Sequence, residues 1–513
     1  MGAALRTTVR AAARTASFHQ AISALAIAVL FYGCENTATS SPVAPLAAKF
    51  KASASAESAA PQSVQARSAN EFVNSIGINT HLTYFGTVYG NYTGVVKPRL
   101  AELGVKHVRD CGSVTSMDSW MRAVYGRCND LYKSLGITFD AATTPLPGQS
   151  YFSTPPIARL LKFLDPSAVE AFEGANELDD QGDGNWVAKD RAWQQALYRT
   201  VRSISVVTDK PVIGPSLVNR TNALKLGSLT EWIDFGNMHS YPGDSIPSAY
   251  LEKNVANYSP MNGSKPIRPT ETGYPTDPNS HYWVSEATTG KYVPRLYLEY
   301  WKFGFSRSFV YQLADEGSQA NGINGWGLLH GDGSPKAGFT ALKNLIGVLS
   351  DAGGDFAPGS LTYSIGDVPA TVHSALFQKS SGNFFLVLWN EVASFDRHRH
   401  VALSPAPVSA TLTLASTPGV LVFHLPTLGT TTTVNPAQSV ALQIPDHPLI
   451  IEIGLSGAPA SVPSTTTDPT PPSTPATPGP ANGKVKLGEV PYHRDSIVTQ
   501  IARLPLAQSA TVR

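Results

Sequence analysis

The sequence predicts an α/β protein: a (β/α)8 TIM barrel followed by a smaller antiparallel β-sandwich domain. Short apolar runs alternate with helical patterns between residues 72 and 350. Eight such units in a stretch of this length match the size of a parallel eight-stranded barrel. After residue 351 the helical periodicity stops and short strand-like runs take over. A doubly wound open sheet is the alternative, but no glycine-rich fingerprint follows the first strand.

The eight predicted barrel strands are short and rich in apolar residues. They cover residues 75–81, 105–110, 137–141, 169–174, 211–216, 235–239, 267–270 and 308–312. Helical patterns cover residues 98–103, 128–134, 157–164, 190–206 and 293–303, and a last helix at 335–349 closes the barrel. Because strand–helix–strand crossovers have a fixed hand, successive units of this kind close naturally into a parallel barrel.

The predicted sandwich consists of short strands separated by turns. These runs cover residues 361–364, 371–377, 384–389, 410–414, 420–423 and 449–453. Regular spacing without helical periodicity is typical of an antiparallel sandwich.

The N-terminal residues 1–34 have the pattern of an export signal. Arg6, Arg10 and Arg14 precede an apolar stretch at 21–32, which is too short to span a bilayer. Cys34 follows directly, as in a bacterial lipoprotein signal, in which that cysteine carries the lipid. An ordinary cleaved signal and a retained signal anchor are the alternatives. We expect an extracytoplasmic protein, either secreted or membrane-anchored through its N-terminus as a lipoprotein.

Composition defines the remaining domain boundaries. Residues 35–69 are rich in Ala, Ser and Pro and are predicted to be a flexible linker before the barrel at 70–350. The sandwich covers 351–456 and a Pro/Thr/Ser-rich linker covers 457–486. Residues 487–513 form a tail to which we assign no role.

Charge and cysteine content exclude several classes of function. Charged residues make up 15% of the chain and the formal net charge is +1, which gives no basic surface for nucleic acid. No cysteine–histidine cluster suggests zinc, and we predict neither a metal nor another cofactor. In an oxidising compartment Cys111 and Cys128 could form a disulfide; two unpaired buried thiols are the alternative.

Two glutamates follow predicted strands that lie across the barrel from each other. Glu177 follows the fourth strand and Glu271 follows the seventh. In such barrels the catalytic residues come from the C-terminal ends of the strands. A retaining glycosidase needs two carboxyl groups about 5–5.5 Å apart. We therefore predict Glu177 as acid/base and Glu271 as nucleophile, against the alternative that both are surface acids of loops.

Polar residues at other strand ends are predicted to support this pair. The Asn176 amide could donate to a sugar 2-hydroxyl, and Arg109 could pair with Glu271 or form a structural ion pair. His239 and Tyr241 share one face after the sixth strand, where they could touch the two acids or the sugar, or pack in the core. Tyr274, Trp283 and Trp326 are candidate platforms for sugar rings.

Several other acids have less specific interpretations. Glu173 either points into the barrel near the acid or is an ion-paired core residue. Asp179, Asp180 and Asp183 could form a calcium loop, but solvated acids or substrate contacts fit their spacing better. Glu391 follows Asn390 as Glu177 follows Asn176, yet it comes after a sandwich strand, and we interpret it as part of a turn.

The residues at these strand ends resemble glycoside hydrolase clan A over residues 72–350. The matching positions are Asn176, Glu177, His239, Tyr241, Glu271 and Arg109. The resemblance implies a retaining (β/α)8 hydrolase of O-glycosidic bonds whose partner is an oligo- or polysaccharide. The trailing sandwich resembles families 39, 51, 30 and 79. The chain departs from many clan members at strand eight, where Tyr311-Gln312 stands in place of a tryptophan.

The sequence leaves two rival functions open. One is a non-catalytic carbohydrate-binding or surface protein on the same scaffold, because a fold does not fix a function. The other is a transglycosylase, which would use the same two glutamates.

Overall fold

The computed structural model describes residues 60–144, 155–280, 282–317, 325–366 and 368–455. The predicted export signal with Cys34, most of the first linker, the second linker and the tail lie outside these ranges. None of the helices in the described ranges is long and apolar enough to cross a bilayer.

The described part of the chain begins with two short strands, and eight parallel strands follow. The first two are β1 (Gln62–Gln65) and β2 (Arg67–Ser68). The next eight are β3 (Ile76–Asn79), β4 (His107–Arg109), β5 (Thr138–Ala142), β6 (Val169–Glu173), β7 (Val212–Ile213), β8 (Gly236–His239), β9 (Ile267–Glu271) and β10 (Ser308–Val310).

These eight strands form a TIM-barrel-like domain. One parallel sheet has the order β10-β3-β4-β5-β6-β7, and β8 pairs with β9 in a second. Parallel bridges join Ile213 to Phe235, just before β8, and Thr272, just after β9, to Val310. Each strand lies within the corresponding predicted run, apart from a one-residue shift at the end of β5 and of β9. The C-terminal strand ends therefore meet on one face.

Helices follow most of the barrel strands. They are α1 (Ala69–Val73), α2 (Lys97–Leu103), α3 (Asp118–Leu135), α4 (Ile157–Leu160), α5 (Trp186–Ser203), α6 (Asn222–Leu226), α7 (Leu251–Asn262), α8 (Glu286–Phe303) and α9 (Ala337–Leu349). Single turns of 3₁₀ helix cover Val88–Gly90, Pro166–Ala168 and Leu178–Asp180, and a π-helical turn covers Tyr92–Val96.

Helix α8 shows how local sequence sets these elements. The Ser285 side chain accepts a hydrogen bond from the Thr288 amide and caps the N-terminus. Gly304 ends the helix at a φ of 109°, a conformation that side chains disfavour. Between them 13 of the 18 residues are buried, because α8 packs between the barrel and the C-terminal sheets.

The C-terminal region contains antiparallel sheets. Its strands are β11 (Ser360–Gly366), β12 (Val372–Gln378), β13 (Phe384–Asn390), β14 (Phe395–Asp396), β15 (Val401–Ala402), β16 (Val408–Leu414), β17 (Val420–Leu425), β18 (Thr430–Thr433), β19 (Ser439–Ile444) and β20 (Leu449–Gly454). One sheet has the order β1-β11-β16-β19 and the other β18-β17-β20-β13-β12-β2. Their facing residues, such as Leu361, Leu412 and Leu386, share one apolar cluster.

The predicted flexible linker at 35–69 is wrong for its last residues. Strand β1 pairs antiparallel with β11, and β2 pairs in parallel with β12. These segments are mostly polar and exposed, so they carry no apolar alternation that would mark a strand. Backbone pairing at the sheet edges holds them in place.

Strand β13 joins the C-terminal sheets to the barrel. Leu386 and Leu388 face the sandwich cluster, whereas Phe385, Val387 and Trp389 pack into the barrel core. Burial on both faces explains why this run is continuously apolar. The following Glu391 is not a plain turn residue, because it forms a fully buried ion pair with Arg295 of α8.

Candidate active site

Glu177 lies at the start of the 3₁₀ turn that follows β6. Its backbone has a left-handed φ of 50°, uncommon for a residue with a side chain. The Glu177 amide donates to the Ser216 carbonyl at 3.2 Å, which ties the turn to the loop after β7. The side chain stays 30% exposed, next to Asn176 in the cleft lining.

Glu271 is the last residue of β9, and its carboxylate is held by two donors. Arg109 Nη1 donates to Oε1 at 2.5 Å, and the Tyr241 hydroxyl donates to Oε2 at 2.7 Å. The Glu271 side chain is 11% exposed. It is thus fixed in orientation and still reaches the cleft.

The two glutamates meet around His239. One carboxylate oxygen of Glu177, one of Glu271 and a ring nitrogen of His239 all lie within 4.8 Å of one another. His239 Nδ1 is 2.7 Å from Glu177 Oε1 and 3.4 Å from Glu271 Oε2. These three groups also have the spacing of a metal site, although hydrogen bonds already occupy their ligand atoms.

The surroundings shift the pKa values of the two glutamates in opposite directions. Burial raises the pKa of Glu177, and the charge of Glu271 raises it further. His239 and Arg109 lower this pKa, but they do not outweigh the two raising effects. Burial alone would also raise the pKa of Glu271, but His239, Arg109 and Tyr241 outweigh it and hold that pKa below its ordinary value. One carboxyl therefore keeps a proton more readily than the other.

Arg109 organises the base of the site. Its Nε and Nη2 donate to the two oxygens of Glu173 at 2.6 and 2.9 Å, while Nη1 reaches Glu271. The Glu173 side chain is fully buried and ion-paired with Arg109, and it also accepts from Asn237 and Thr270 inside the barrel, so both of its predicted roles are confirmed. Arg109 likewise combines its two predicted roles, because it pairs with Glu271 and anchors a structural ion pair.

Arg109 also fixes the orientation of Asn176. Arg109 Nη2 donates to the Asn176 side chain at 2.6 Å, and because arginine only donates, the accepting atom must be Oδ1. The Asn176 Nδ2 group then points away from Arg109. Since Asn176 lines the cleft, this amide is available to a ligand.

A cleft of about 340 Å³ lies beside these residues. This volume is near the lower end of the ~300–1,000 Å³ typical of ligand pockets. The described lining is largely polar and comes mostly from the ends of β3 to β6 and β9. It includes Asn79, Thr80, His81, Tyr84, Arg109, Asp110, Thr143, Asn176, Gln181, Trp193 and Glu271.

A group of residues at one side of the site does not stand out in the sequence. His81 Nε2 lies 3.1 Å from the Tyr311 hydroxyl and 3.3 Å from Glu316, and its ring stacks on Tyr84. His81 and Asp110 stand at the ends of the first and second predicted strands. The strand-end criterion that selects Glu177 and Glu271 applies equally to these two positions, so it is the signal that could have found them.

Of the three predicted aromatic platforms, only Trp326 is at the site. Its ring meets Tyr241 edge-on at 5.0 Å between centroids, and Tyr311 at 6.1 Å. Tyr274 is buried in the core and donates to the Ser245 carbonyl. Trp283 stacks on His400, beside Phe395 of β14. The predicted sugar-binding role of Tyr274 is therefore wrong, because its ring is buried in the core. Trp283 is half-buried and is not among the described residues that line the cleft, so its role as a platform stays a prediction.

Cys111 and Cys128 form a disulfide, the first of the two predicted alternatives. Cys111 directly follows Asp110 in the cleft wall, and Cys128 lies in α3. The bond thus attaches the loop after β4 to the helix behind it.

Comparisons with known proteins give one clear likeness. No family model matches the chain, and neither does any curated protein. A family 39 glycoside hydrolase from Bacteroides cellulosilyticus WH2 superposes with a TM-score of 0.50 at 15% identity, covering 75% of this chain and 82% of that one. The resemblance to clan A glycoside hydrolases is confirmed at the level of the fold.

Two further solved structures are similar over a comparable length. A glucosidase from Croceicoccus marinus has a TM-score of 0.48 at 12% identity and covers 78% of this chain and 97% of its own. The catalytic domain of GH30 xylanase C from Talaromyces cellulolyticus has a TM-score of 0.46 at 12% identity, with 77% and 98% covered.

Proposed function

We propose that this chain is a retaining glycoside hydrolase on a closed (β/α)8 barrel, acting by double displacement with Glu177 and Glu271. The observation that supports this most is the pair itself. Two carboxyls with opposite pKa shifts have oxygens within 4.8 Å of each other. An inverting pair stands about 6.5–9.5 Å apart, to leave room for a water molecule.

In the first step Glu177 is protonated and Glu271 is ionised. Glu177 gives its proton to the glycosidic oxygen while a Glu271 oxygen attacks the anomeric carbon. The bond from that carbon to the leaving oxygen breaks, the alcohol departs, and the sugar stays esterified to Glu271.

In the second step Glu177 acts as base. Its carboxylate takes a proton from water as the water oxygen attacks the anomeric carbon. The ester bond to Glu271 breaks, its carboxylate is restored, and Glu177 is protonated again. Both inversions at the anomeric carbon together give net retention.

The remaining site residues support charge and orientation. Arg109 and Tyr241 keep Glu271 ionised before attack and stabilise it as it leaves. The free Asn176 amide is placed to donate to the sugar 2-hydroxyl, a contact that strengthens in the transition state.

We propose an uncharged oligo- or polysaccharide as substrate. Arg109 supplies the guanidinium group of the described lining, and this group is already bonded to Glu173 and Glu271. Asp110 in the cleft wall and Glu316 next to His81 add negative groups near the ligand. An anionic sugar would meet like charge there, whereas hydroxyl groups would find acceptors and donors.

A panel of chromogenic glycosides and neutral polysaccharides tests the proposal. We expect wild type to hydrolyse at least one member, and Glu271→Gln and Glu177→Gln to lose about 10³-fold or more in kcat. Glu252→Gln, an exposed residue of α7, is the matched control and should retain full activity.

Other outcomes of the panel would reject the proposal. Binding without turnover on any member would favour a non-catalytic carbohydrate-binding protein. Transfer to acceptor sugars that exceeds hydrolysis, so that products longer than the substrate dominate, would favour a transglycosylase.

We also propose that the protein is exported and attached through Cys34. Fractionation of expressing bacteria should place the wild type with membranes and Cys34→Ser in the soluble extracytoplasmic fraction. A wild-type protein found in the cytoplasm would reject this.

A further inference from the structure

A second polar site lies directly behind the turn that carries Glu177. Asp190, in the second turn of α5, is 0% exposed, and within the part of the chain that the structure describes neither of its carboxylate oxygens has a hydrogen-bond partner. Asn222, at the start of α6, is 8% exposed, and its Oδ1 is likewise unpartnered. Buried oxygens without partners are costly, and a buried carboxylate most of all.

Asp179 links these two residues. Its carboxylate accepts from the Val218 and Asn219 amides at 3.0 and 3.1 Å, and from Asn222 Nδ2 at 2.9 Å. The third contact places the unpartnered Asn222 oxygen beside a carboxylate. Asp190 lies on α5 between Trp186 and Trp193, and both of these rings pack with Leu178, the residue before Asp179. Burial raises the pKa of Asp190, and the charge of Asp179 raises it further.

The packing of α5 brings Asp190 to the same place. Trp186 and Trp193 of α5 form a small cluster with Leu178 and Ala175, which flank the catalytic turn. Arg191, the residue after Asp190, donates to the Leu226 carbonyl at the end of α6 and so holds α5 against α6. The unpartnered oxygens of Asp190 and Asn222 therefore belong to the region where α5, α6 and the Leu178–Asp180 turn pack together.

We propose that this space is a binding site for a hard divalent cation, Ca²⁺ by preference, held by Asp190 and Asn222 beside Asp179. Carboxylate and amide oxygens without nitrogen or sulfur are the ligands that Ca²⁺ prefers, and it tolerates irregular geometry better than Mg²⁺. The cation would supply the positive charge that two neighbouring carboxylates need. It would also fix the turn that begins at Glu177. This inference does not depend on the proposed hydrolase activity.

The first test is thermal unfolding of the full chain after removal of metal ions. Millimolar CaCl2 should raise Tm by about 3 °C or more, and MgCl2 by less. Asp190→Asn should lose this rise. Asp180→Asn, which changes an exposed acid of the Leu178–Asp180 turn, is the matched control and should keep the rise.

Two further variants separate this site from the catalytic group and from a loss of folding. Glu271→Gln dismantles the Glu177–His239–Glu271 group and should keep the rise, because that group is not the site. If Asp190→Asn does not fold, Asn222→Ser replaces it, and Tb³⁺ luminescence excited through Trp186 and Trp193 reports binding directly.

Three results would overturn the proposal. One is a wild-type Tm that neither Ca²⁺ nor Mg²⁺ raises. Another is a rise that Asp190→Asn retains. The third is an Asp190→Asn protein as stable as metal-free wild type with no response to cations in either, which would show that Asp190 is simply a neutral buried acid.

Discussion

At the residue scale, the chemistry depends on how unequal the two glutamates are. Both are enclosed by the same barrel mouth, yet Glu271 has donors on both oxygens, whereas among the described residues Glu177 has a side-chain partner only in His239. His239 itself is affected by both: burial lowers its pKa, but the carboxylates of Glu271 and Glu177 outweigh burial and raise it. The surrounding hydrogen-bond donors therefore decide which of the two glutamates holds a proton more readily.

Tyr241→Phe should raise the pKa of Glu271. Loss of the hydroxyl removes a donor to the charged form, so the carboxyl protonates more easily. The acidic limb of the pH dependence of kcat/KM, which reports ionisation of Glu271, should therefore move to higher pH. Tyr92→Phe, whose hydroxyl donates to Asp130 far from the site, is the control. An unchanged acidic limb in Tyr241→Phe would contradict this assignment.

Arg109→Met should destabilise the fold by about 3–5 kcal/mol, because it leaves the buried Glu173 without its cation. Adding Glu173→Gln should restore part of that loss, since the unpaired charge is removed. Activity should stay low in both variants, because Glu271 still lacks the hydrogen bond from Arg109. Urea unfolding and kinetics measure the two effects separately. A single variant as stable as wild type would refute the role of Arg109 as organiser of the core.

At the element scale, the strand ends were predictable and the loops were not. Periodicity marks where a parallel strand stops, and in a barrel that alone places Glu177, His239 and Glu271 on one rim. Tyr274 and Trp283 lie beyond their strand, where the course of the loop decides whether an aromatic faces solvent or core. Local sequence carries no signal for that choice. The sequence therefore suggests a ring at the site for both residues, whereas Tyr274 is buried in the core and Trp283 packs on His400.

Removing the disulfide should loosen the loop after β4. The two cysteines are 17 positions apart, a loop length at which a disulfide contributes about 3 kcal/mol. Cys111→Ser with Cys128→Ser should lower the free energy of unfolding by about 2–3 kcal/mol, read from denaturant curves. Treatment of the wild type with a reductant should reproduce the effect, and no change in either experiment would contradict a structural disulfide.

At the whole-molecule scale, the barrel and the C-terminal sheets are joined at two places, through β2 and through β13. Strand β2 lies beside β12, and the Arg67 guanidinium lies 3.7 Å from the ring centre of Trp301 in α8. From the other side, β13 buries Trp389 in the barrel core, and its Nε1 donates to Glu299. Composition predicts a linker at β1 and β2, because backbone pairing holds these edge strands and leaves no apolar pattern in their sequence.

Truncations on either side of β1 and β2 test this joining. A chain starting at residue 60 should unfold at the same temperature as one that retains the preceding segment. A chain starting at residue 69 loses both strands and should be less stable by at least about 2 kcal/mol, from lost backbone hydrogen bonds and the Arg67–Trp301 contact. Equal stability of the two truncated chains would show that 60–68 acts only as a linker.

The central claim is double displacement by Glu177 and Glu271, and the stereochemistry of the first product tests it most directly. Proton NMR can follow the anomeric signal during hydrolysis of an active glycoside from the panel, before mutarotation mixes the anomers. A first-formed sugar with the anomeric configuration of the substrate is the predicted result. A first-formed sugar of the opposite configuration would contradict it.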